Sequence, residues 1–359
     1  MNANMDRIKQ KSLGKAALSR YLFAALLLGL WALSSVSCVA QGRSRKKAPP
    51  ISIEGLRQRT YESNLAFEQE MEGAAPYRAD LMSYTSDGLK VYTLVNTPTT
   101  KAPKKGFPVL IFGHGYHPNP PKYGINPDTK ENRRPGDYYR GLPEAYAEKG
   151  FLVLTPDYRG HSNSQGYEYT QTGYLASNYY AIDVLNLIAA LKTLKNADLR
   201  NVYYVGHSLG GDVGLKMLLA TDKIRAASLW APVVADSWEQ ALFYGTFYDE
   251  KSDLVDTTRM QLYAGHIDKN IRKLGYPYTA EEGDPINYMS DISIPLIIHH
   301  AKEDDVVPFT WSVALVAKLY KFKKVFELYS YNGKDHLLQN EMRAKAVERD
   351  VDFFKRSEK

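Results

Sequence analysis

The 359-residue chain is 44% hydrophobic, 12% aromatic and 24% charged, which suits a protein that buries a sizeable core and excludes a disordered or collagen-like chain. Its net charge of +6 belongs to the N-terminus. Residues 1–50 hold nine Lys and Arg against Asp6, so the remainder is slightly negative and offers no electrostatic footprint for nucleic acid.

A basic start, the apolar run Tyr21 to Leu33 and the small residues Ser34 to Ala40 follow one another. That order predicts a signal peptide over 1–40 and an exported protein, because the apolar run is shorter than the roughly 20 residues of a membrane-spanning helix. Cys38 is the single cysteine, so no intrachain disulfide framework forms. Two fates stand open for it. Ser35-Val36-Ser37-Cys38 resembles a bacterial lipobox, with Ser35 where leucine is usual, and a lipidated Cys38 would attach the protein to a membrane. Cys38-Val39-Ala40 before Gln41 equally fits a small-residue signal-peptidase site, which would discard the cysteine.

Residues 41–78 read as a tether and N-terminal extension, polar and basic as far as Pro49-Pro50, with a short helix expected around Leu56 to Met71. Residues 79–359 read as the catalytic domain. A hairpin is predicted from Leu81–Thr85 and Leu89–Val95 around Ser86-Asp87-Gly88. Strands then alternate with helices: strands at 108–113, 151–156, 202–206, 226–230, 295–300 and 324–331, helices at 143–149, 176–195, 209–221, 309–322 and 337–354. Several strands are apolar at nearly every residue, as strands buried on both faces must be. The fold class is therefore α/β, a mostly parallel sheet with helices on both faces. Two segments break the alternation: a Pro-, Asn- and Tyr-rich loop at 117–142, and an aromatic insertion at about 233–290 that reads either as a helical cap over the ligand-binding end of the sheet or as an insertion packing its aromatics for its own stability.

The chain is organised around Gly206-His207-Ser208-Leu209-Gly210-Gly211, where an apolar strand stops and a helix starts at once. This is the pattern of a nucleophile elbow, in which a sharp turn lifts Ser208 above the sheet edge and the helix aims its free N–H groups at charge developing beside it. A serine so placed needs an acid and then a histidine downstream. The strand ending at His300 runs into Glu303-Asp304-Asp305, and Asp304 is the preferred acid; Asp305 fits better as a cap for the helix that begins near Pro308. Of eight histidines only His336 follows the acid, so it is the expected base. The oxyanion hole is expected from the backbone N–H groups of Leu209 and Tyr116. His114 reads as a structural histidine, because no second ligand stands at metal-site spacing, and His299 and His300 read as strand-end packing.

Residues from about 80 to 355 resemble the α/β-hydrolase superfamily and, within it, the catalytic domain of the prolyl oligopeptidase family. The resemblance rests on Gly113-His114-Gly115, Asp157-Tyr158-Arg159-Gly160-His161-Ser162, the Ser208 elbow, His300-x-x-x-Asp304-x-x-Val307-Pro308, and Asp335-His336. It implies Ser208 as nucleophile, Asp304 as orienting acid, His336 as base, and a structural role for Arg159. The family's peptidases usually carry a β-propeller ahead of this domain, for which the preceding residues leave no room, so a stand-alone esterase or dienelactone-hydrolase-like enzyme is the alternative to a peptidase. The expected reaction is acyl transfer from a small peptide or ester to water, with no metal or organic cofactor. A catalytically silent binding protein, or an acyltransferase that hands the acyl group to an alcohol, would use the same fold.

Overall fold

The computed structural model describes residues 7–9, 51–71, 75–122, 139, 141–172, 175–244, 248–249, 254–255 and 280–359. Apart from Arg7–Lys9, the expected signal peptide and tether as far as residue 50 lie outside the described residues, as does most of the 117–142 loop and the middle of the expected cap.

A ten-stranded sheet in the order β1-β12-β11-β8-β7-β5-β6-β4-β3-β2 forms the frame. Its strands are β1 (Arg7–Lys9), β2 (Ala66–Met71), β3 (Tyr77–Ser86), β4 (Leu89–Pro98), β5 (Phe107–Gly113), β6 (Leu152–Pro156), β7 (Ala197–His207), β8 (Ala226–Trp230), β11 (Leu296–Ala301) and β12 (Phe326–Tyr331); β9 (Tyr248–Asp249) and β10 (Leu254–Val255) pair separately. From β6 through β12 the pairings are parallel, and β2, β3 and β4 extend the sheet antiparallel at one end. The helices are α1 (Ile53–Gln58), α2 (Gly141–Glu148), α3 (Tyr167–Thr170), α4 (Ala176–Ala190), α5 (Leu209–Leu218), α6 (Ser237–Tyr244), α7 (Phe309–Lys321) and α8 (Glu341–Arg356).

The central strands divide their side chains between two cores with the period of two that a pleated strand imposes. Val109 and Ile111 of β5, Val202 and Tyr204 of β7, and Leu296 and Ile298 of β11 join the core beneath α4, α5 and α7. Leu110, Phe112, Tyr203, Val205 and Ile297 face the other way, into the core beneath α2 and α8. Both faces are buried, which is why these strands carry so few polar residues.

The β3–β4 hairpin turns on Asp87 and Gly88, both at positive φ, the geometry a two-residue connection between twisted strands requires. Arg159, fully buried after β6, fastens this turn to the body: its guanidinium binds Asp183 of α4 at 2.7 Å and Asp87 at 3.1 Å, and lies over the Tyr169 ring at 4.8 Å.

Two expectations are corrected. The helix expected at 56–71 is α1 followed by an extended segment and β2. Ser52 caps α1 by accepting the Gly55 N–H at 3.0 Å, and the chain turns extended at Arg59. Ala66–Met71 then satisfies its backbone by pairing with β3, so an open sheet edge overrides the helix propensity of Ala, Glu, Gln and Met. The last helix starts at Glu341, not at Leu337: Asp335 accepts the N–H groups of Leu337 and Gln339, and Leu338 and Asn340 take positive φ. Residues 337–340 are thereby a turn that follows His336.

Candidate active site

Ser208 sits between β7 and α5 at φ 54°, ψ −119°, a strained conformation for a side chain with a Cβ. Neighbouring backbone holds it there: its N–H donates to the Trp230 carbonyl, and its own carbonyl accepts from Gly211 and Val233. Gly206 and Gly210 are needed for proximity. A Cβ at Gly206 would overlap the Gly210 carbonyl, and one at Gly210 would overlap the Gly113 carbonyl. The Ser208 hydroxyl does not cap α5.

The loop after β5 lies against this elbow, so that a Cβ at Gly115 would stand 3.2 Å from Ser208 Cβ. His114 is buried here, its Nδ1 2.8 Å from the Gly115 carbonyl and its ring stacked on Tyr158 at 4.1 Å. Burial pushes its pKa well down, so the ring is neutral and braces the loop. Leu209 opens α5, and neither its N–H nor that of Tyr116 donates to another backbone group among the described residues.

Asp304 leaves β11 and His336 leaves β12, adjacent parallel strands whose register sets the two loops side by side. The Asp304 side chain is fully buried, and its Oδ2 lies 2.7 Å from His336 Nδ1. Oδ1 accepts the N–H groups of Val306 at 2.9 Å and Val307 at 3.0 Å. Burial works against the charge of Asp304, yet hydrogen bonds from His300, His336 and the Val307 N–H outweigh it and hold the carboxyl well below the usual carboxylate range. Asp305 is exposed and does not cap α7, whose first turn carries no side-chain cap.

Sequence reasoning placed His300 in packing; the structure gives it a larger part. Its Nε2 lies 3.0 Å from the Val307 carbonyl and 3.3 Å from Asp304 Oδ2, and Ser312 Oγ is 2.8 Å from its Nδ1. A proton on Nε2 serves both acceptors, so His300 braces the acid loop. The four-residue spacing from His300 to Asp304 was the available signal. His299 points to the opposite core, where Nε2 meets Asp350 at 2.8 Å and Nδ1 meets Tyr331 at 2.8 Å. Two residues went unassigned: His207, whose Nε2 is 2.9 Å from the His336 carbonyl, and Tyr139, whose hydroxyl is 2.6 Å from His207 Nδ1.

The insertion is tied at its base, where the Asp284 carboxylate accepts both the N–H and the hydroxyl of Ser237. From α6, Phe243 and Tyr244 pack edge-on against Trp311, and the Tyr244 hydroxyl donates to the Val306 carbonyl at 3.1 Å. One arm of the expected cap therefore stands beside the acid loop.

A parallel-centred sheet that presents Ser208 on a strand-to-helix elbow defines the class: this is a serine hydrolase of the α/β-hydrolase fold, a peptidase or an esterase. The chain belongs to the prolyl oligopeptidase family, whose profile matches residues 139–359. An uncharacterized peptidase of Bacillus subtilis, YtmA, is 24% identical over 256 residues, which are 70% of this chain and 84% of that one. Among solved structures, the acetyl xylan esterase from Paenibacillus sp. R4 superposes with a TM-score of 0.58 at 15% identity over 85% of this chain and 92% of its own. The acylaminoacyl peptidase of Pyrococcus horikoshii gives 0.58 at 18% identity, over 80% of this chain but 42% of the peptidase.

Proposed function

We propose that the protein is an exported enzyme that cleaves peptide or ester bonds in small substrates by two-step acyl transfer through Ser208, His336 and Asp304. The observation that carries this reading is the 2.7 Å contact between Asp304 Oδ2 and His336 Nδ1, on a loop fastened to the residue next to Ser208.

An ionised carboxylate only accepts, so Nδ1 carries the imidazole proton and Nε2 is left with the lone pair of a base. Nε2 takes the Ser208 proton as Oγ attacks the substrate carbonyl. The N–H groups of Leu209 and Tyr116 hold the oxyanion, with the N-terminal end of α5 adding its dipole. His336, now cationic beside the Asp304 carboxylate, protonates the leaving amine or alcohol; water then repeats the sequence on the acyl-enzyme. Apart from the substrate and the hydrolytic water, each step is assigned to side chains and backbone of this chain. Export is supported by the basic start, the short apolar run and the small residues up to Ala40, with Cys38 either lipidated or removed.

The test pairs short p-nitrophenyl esters with aminoacyl and X-Pro anilides, using the purified protein, and carries Ser208→Ala alongside. Ester turnover alone makes it an esterase, and anilide turnover a peptidase, provided the mutant loses it. Turnover retained by Ser208→Ala refutes the mechanism.

A further inference from the structure

Three separate segments meet at the site: the loop after β5 with Gly115 and Tyr116, the elbow with His207 and Ser208, and the His336 loop. A single series of hydrogen bonds, buried except for its part-buried link to His336, joins all three through Tyr139. His207 Nε2 lies 2.9 Å from the His336 carbonyl oxygen. A carbonyl only accepts, so Nε2 carries the ring proton and donates. Nδ1 of a neutral ring then accepts, and its partner at 2.6 Å is the Tyr139 hydroxyl, which donates. The Tyr139 oxygen in turn accepts the Gly115 N–H at 3.2 Å. Each donor points the same way, from Gly115 through Tyr139 and His207 to His336, an arrangement in which neighbouring bonds strengthen one another.

The surroundings fix this polarity. His207 is buried, with burial first and the neighbouring His336 second pushing its pKa down to about 3, so it stays neutral and keeps one tautomer through the working range. Its ring sits 4.5 Å from that of His336 and 5.2 Å from that of Tyr139. Tyr139 is itself buried and leans on Phe112 at 5.4 Å, so its ring has support apart from the hydroxyl. The Gly115 N–H is engaged by Tyr139, while the N–H of Tyr116, one residue on, donates to no other backbone group among the described residues.

We propose that Tyr139 and His207 are positioning residues: through the donor series Gly115 N–H, Tyr139 O–H, His207 Nε2–H, His336 C=O they hold the base and the Tyr116 N–H in register with Ser208. This rests on the reading of Ser208, His336 and Asp304 given above. Neither residue touches the reacting atoms. Their contribution appears in kcat, because base and oxyanion donor act in the transition state, while ground-state binding leaves KM nearly unchanged.

The two halves of the series separate by substitution. His207→Gln places an amide N–H near the Nε2 position and keeps the donor to His336; His207→Asn places a carbonyl oxygen near Nδ1 and keeps only the acceptor for Tyr139. Tyr139→Phe removes one hydroxyl and keeps the ring. Full-length proteins are assayed for kcat and KM on the best ester or anilide, with circular dichroism and thermal melting of each and with Ser208→Ala as control. The expected result is about a tenfold fall in kcat for Tyr139→Phe and about a hundredfold fall for His207→Asn, with KM within about twofold, and His207→Gln within about fivefold of wild type. A purely structural role would make Gln and Asn lose kcat in step with their melting temperatures, and that outcome overturns the proposal. So does an unchanged kcat in Tyr139→Phe, the mildest variant, even should both His207 variants fail to fold. Turnover retained by Ser208→Ala brings down the triad reading and this proposal together, whereas an inactive Ser208→Ala beside equal Gln and Asn variants brings down this proposal alone.

Discussion

Replacing His300 by leucine removes the brace behind Asp304, and the structure separates its cost in stability from its cost in activity. The imidazole is buried between Ser312 Oγ, the Val307 carbonyl and Asp304. Leucine of similar bulk leaves Ser312 and Val307 each without that partner in the interior, at about 1–2 kcal/mol apiece, so a loss of about 2–4 kcal/mol is expected. At roughly 2–4 °C per kcal/mol for a domain of this size, the melting temperature should fall by about 5–15 °C. Activity should suffer less. Asp304 keeps the His336 Nδ1–H and the N–H groups of Val306 and Val307, and the lost contact is long, at 3.3 Å, and shared with a carbonyl. About 1 kcal/mol of orientation is at stake, so kcat should fall about fivefold, against about 10⁴-fold for Asp304→Asn, which disturbs the His336 tautomer itself. Steady-state kinetics on one substrate and a thermal melt of each protein decide the matter. A His300→Leu protein as inactive as Asp304→Asn with an unmoved melting temperature would refute the reasoning and put His300 in the chemistry.

Acid should begin to destabilise the protein above the carboxylate range. His207 and His161 are pushed by burial to about 3 and about 4, and His114 well down, so all three are neutral when folded and take up protons on unfolding. Groups depressed in this way contribute stability that is complete above about pH 6.5 and is lost as pH falls toward the folded values. Asp284, raised by burial to about 6, binds its proton in the folded state and opposes them. Near pH 5 these four groups leave roughly two net protons taken up on unfolding, which urea titrations across pH 4.5–6 would measure as a stability slope of roughly 3 kcal/mol per pH unit; a flat profile would contradict it. Asp304 acts lower: its depressed pKa gives stability that is lost only as pH falls below about 4, and Asp304→Asn should flatten that part of the curve. Lys216→Met should cost about 3–5 kcal/mol in urea unfolding, because it strands the buried Asp212 carboxylate 2.7 Å away, whereas removing both charges should recover much of the loss. Gly210→Ala should lower both melting temperature and kcat, since the new methyl can be housed only by pushing the Gly113 carbonyl, and the loop after β5 with it, off the elbow.

The parts of this protein that were legible in its sequence are those whose causes are local. The parallel strands were readable because burial on both faces leaves a continuous apolar run, and Ser208 because strand, glycine turn and helix must follow one another in the chain. That Asp304 and His336 stand together, 2.7 Å apart, was expected from chain order and from the loops that follow strands. The helix expected at 56–71 failed for the opposite reason: Ala66–Met71 is helix-forming by composition, and what makes it a strand is the unpaired edge of β3, a partner that its own residues do not encode. Tyr139 was invisible because nothing in a loop rich in Pro, Asn and Tyr distinguishes the one tyrosine whose hydroxyl meets His207. His300 stood within a recognised spacing, yet a histidine at a strand end looks the same whether its ring fills space or holds a carboxylate.

The two adjacent histidines of β11 show how the site obtains its rigidity. Successive residues of a strand face opposite sides, so His299 and His300 cannot serve the same network. His300 enters the core beneath α7 and braces Asp304. His299 enters the core beneath α8, where Asp350 gathers the His299 ring at 2.8 Å, the Tyr146 hydroxyl at 2.6 Å and the Trp230 indole N–H at 2.9 Å. A slip of β11 by one residue would move one histidine into the other's place, send the second into apolar surroundings and strand either Asp350 or Ser312 without a ring, an expensive loss in the interior. Buried polar groups of this kind add little net stability compared with well-packed apolar residues, but they leave the strand a single acceptable register. That register is what sets the loop bearing Asp304 beside the one bearing His336, so the histidine facing away from the site fixes its geometry as firmly as the one that faces it.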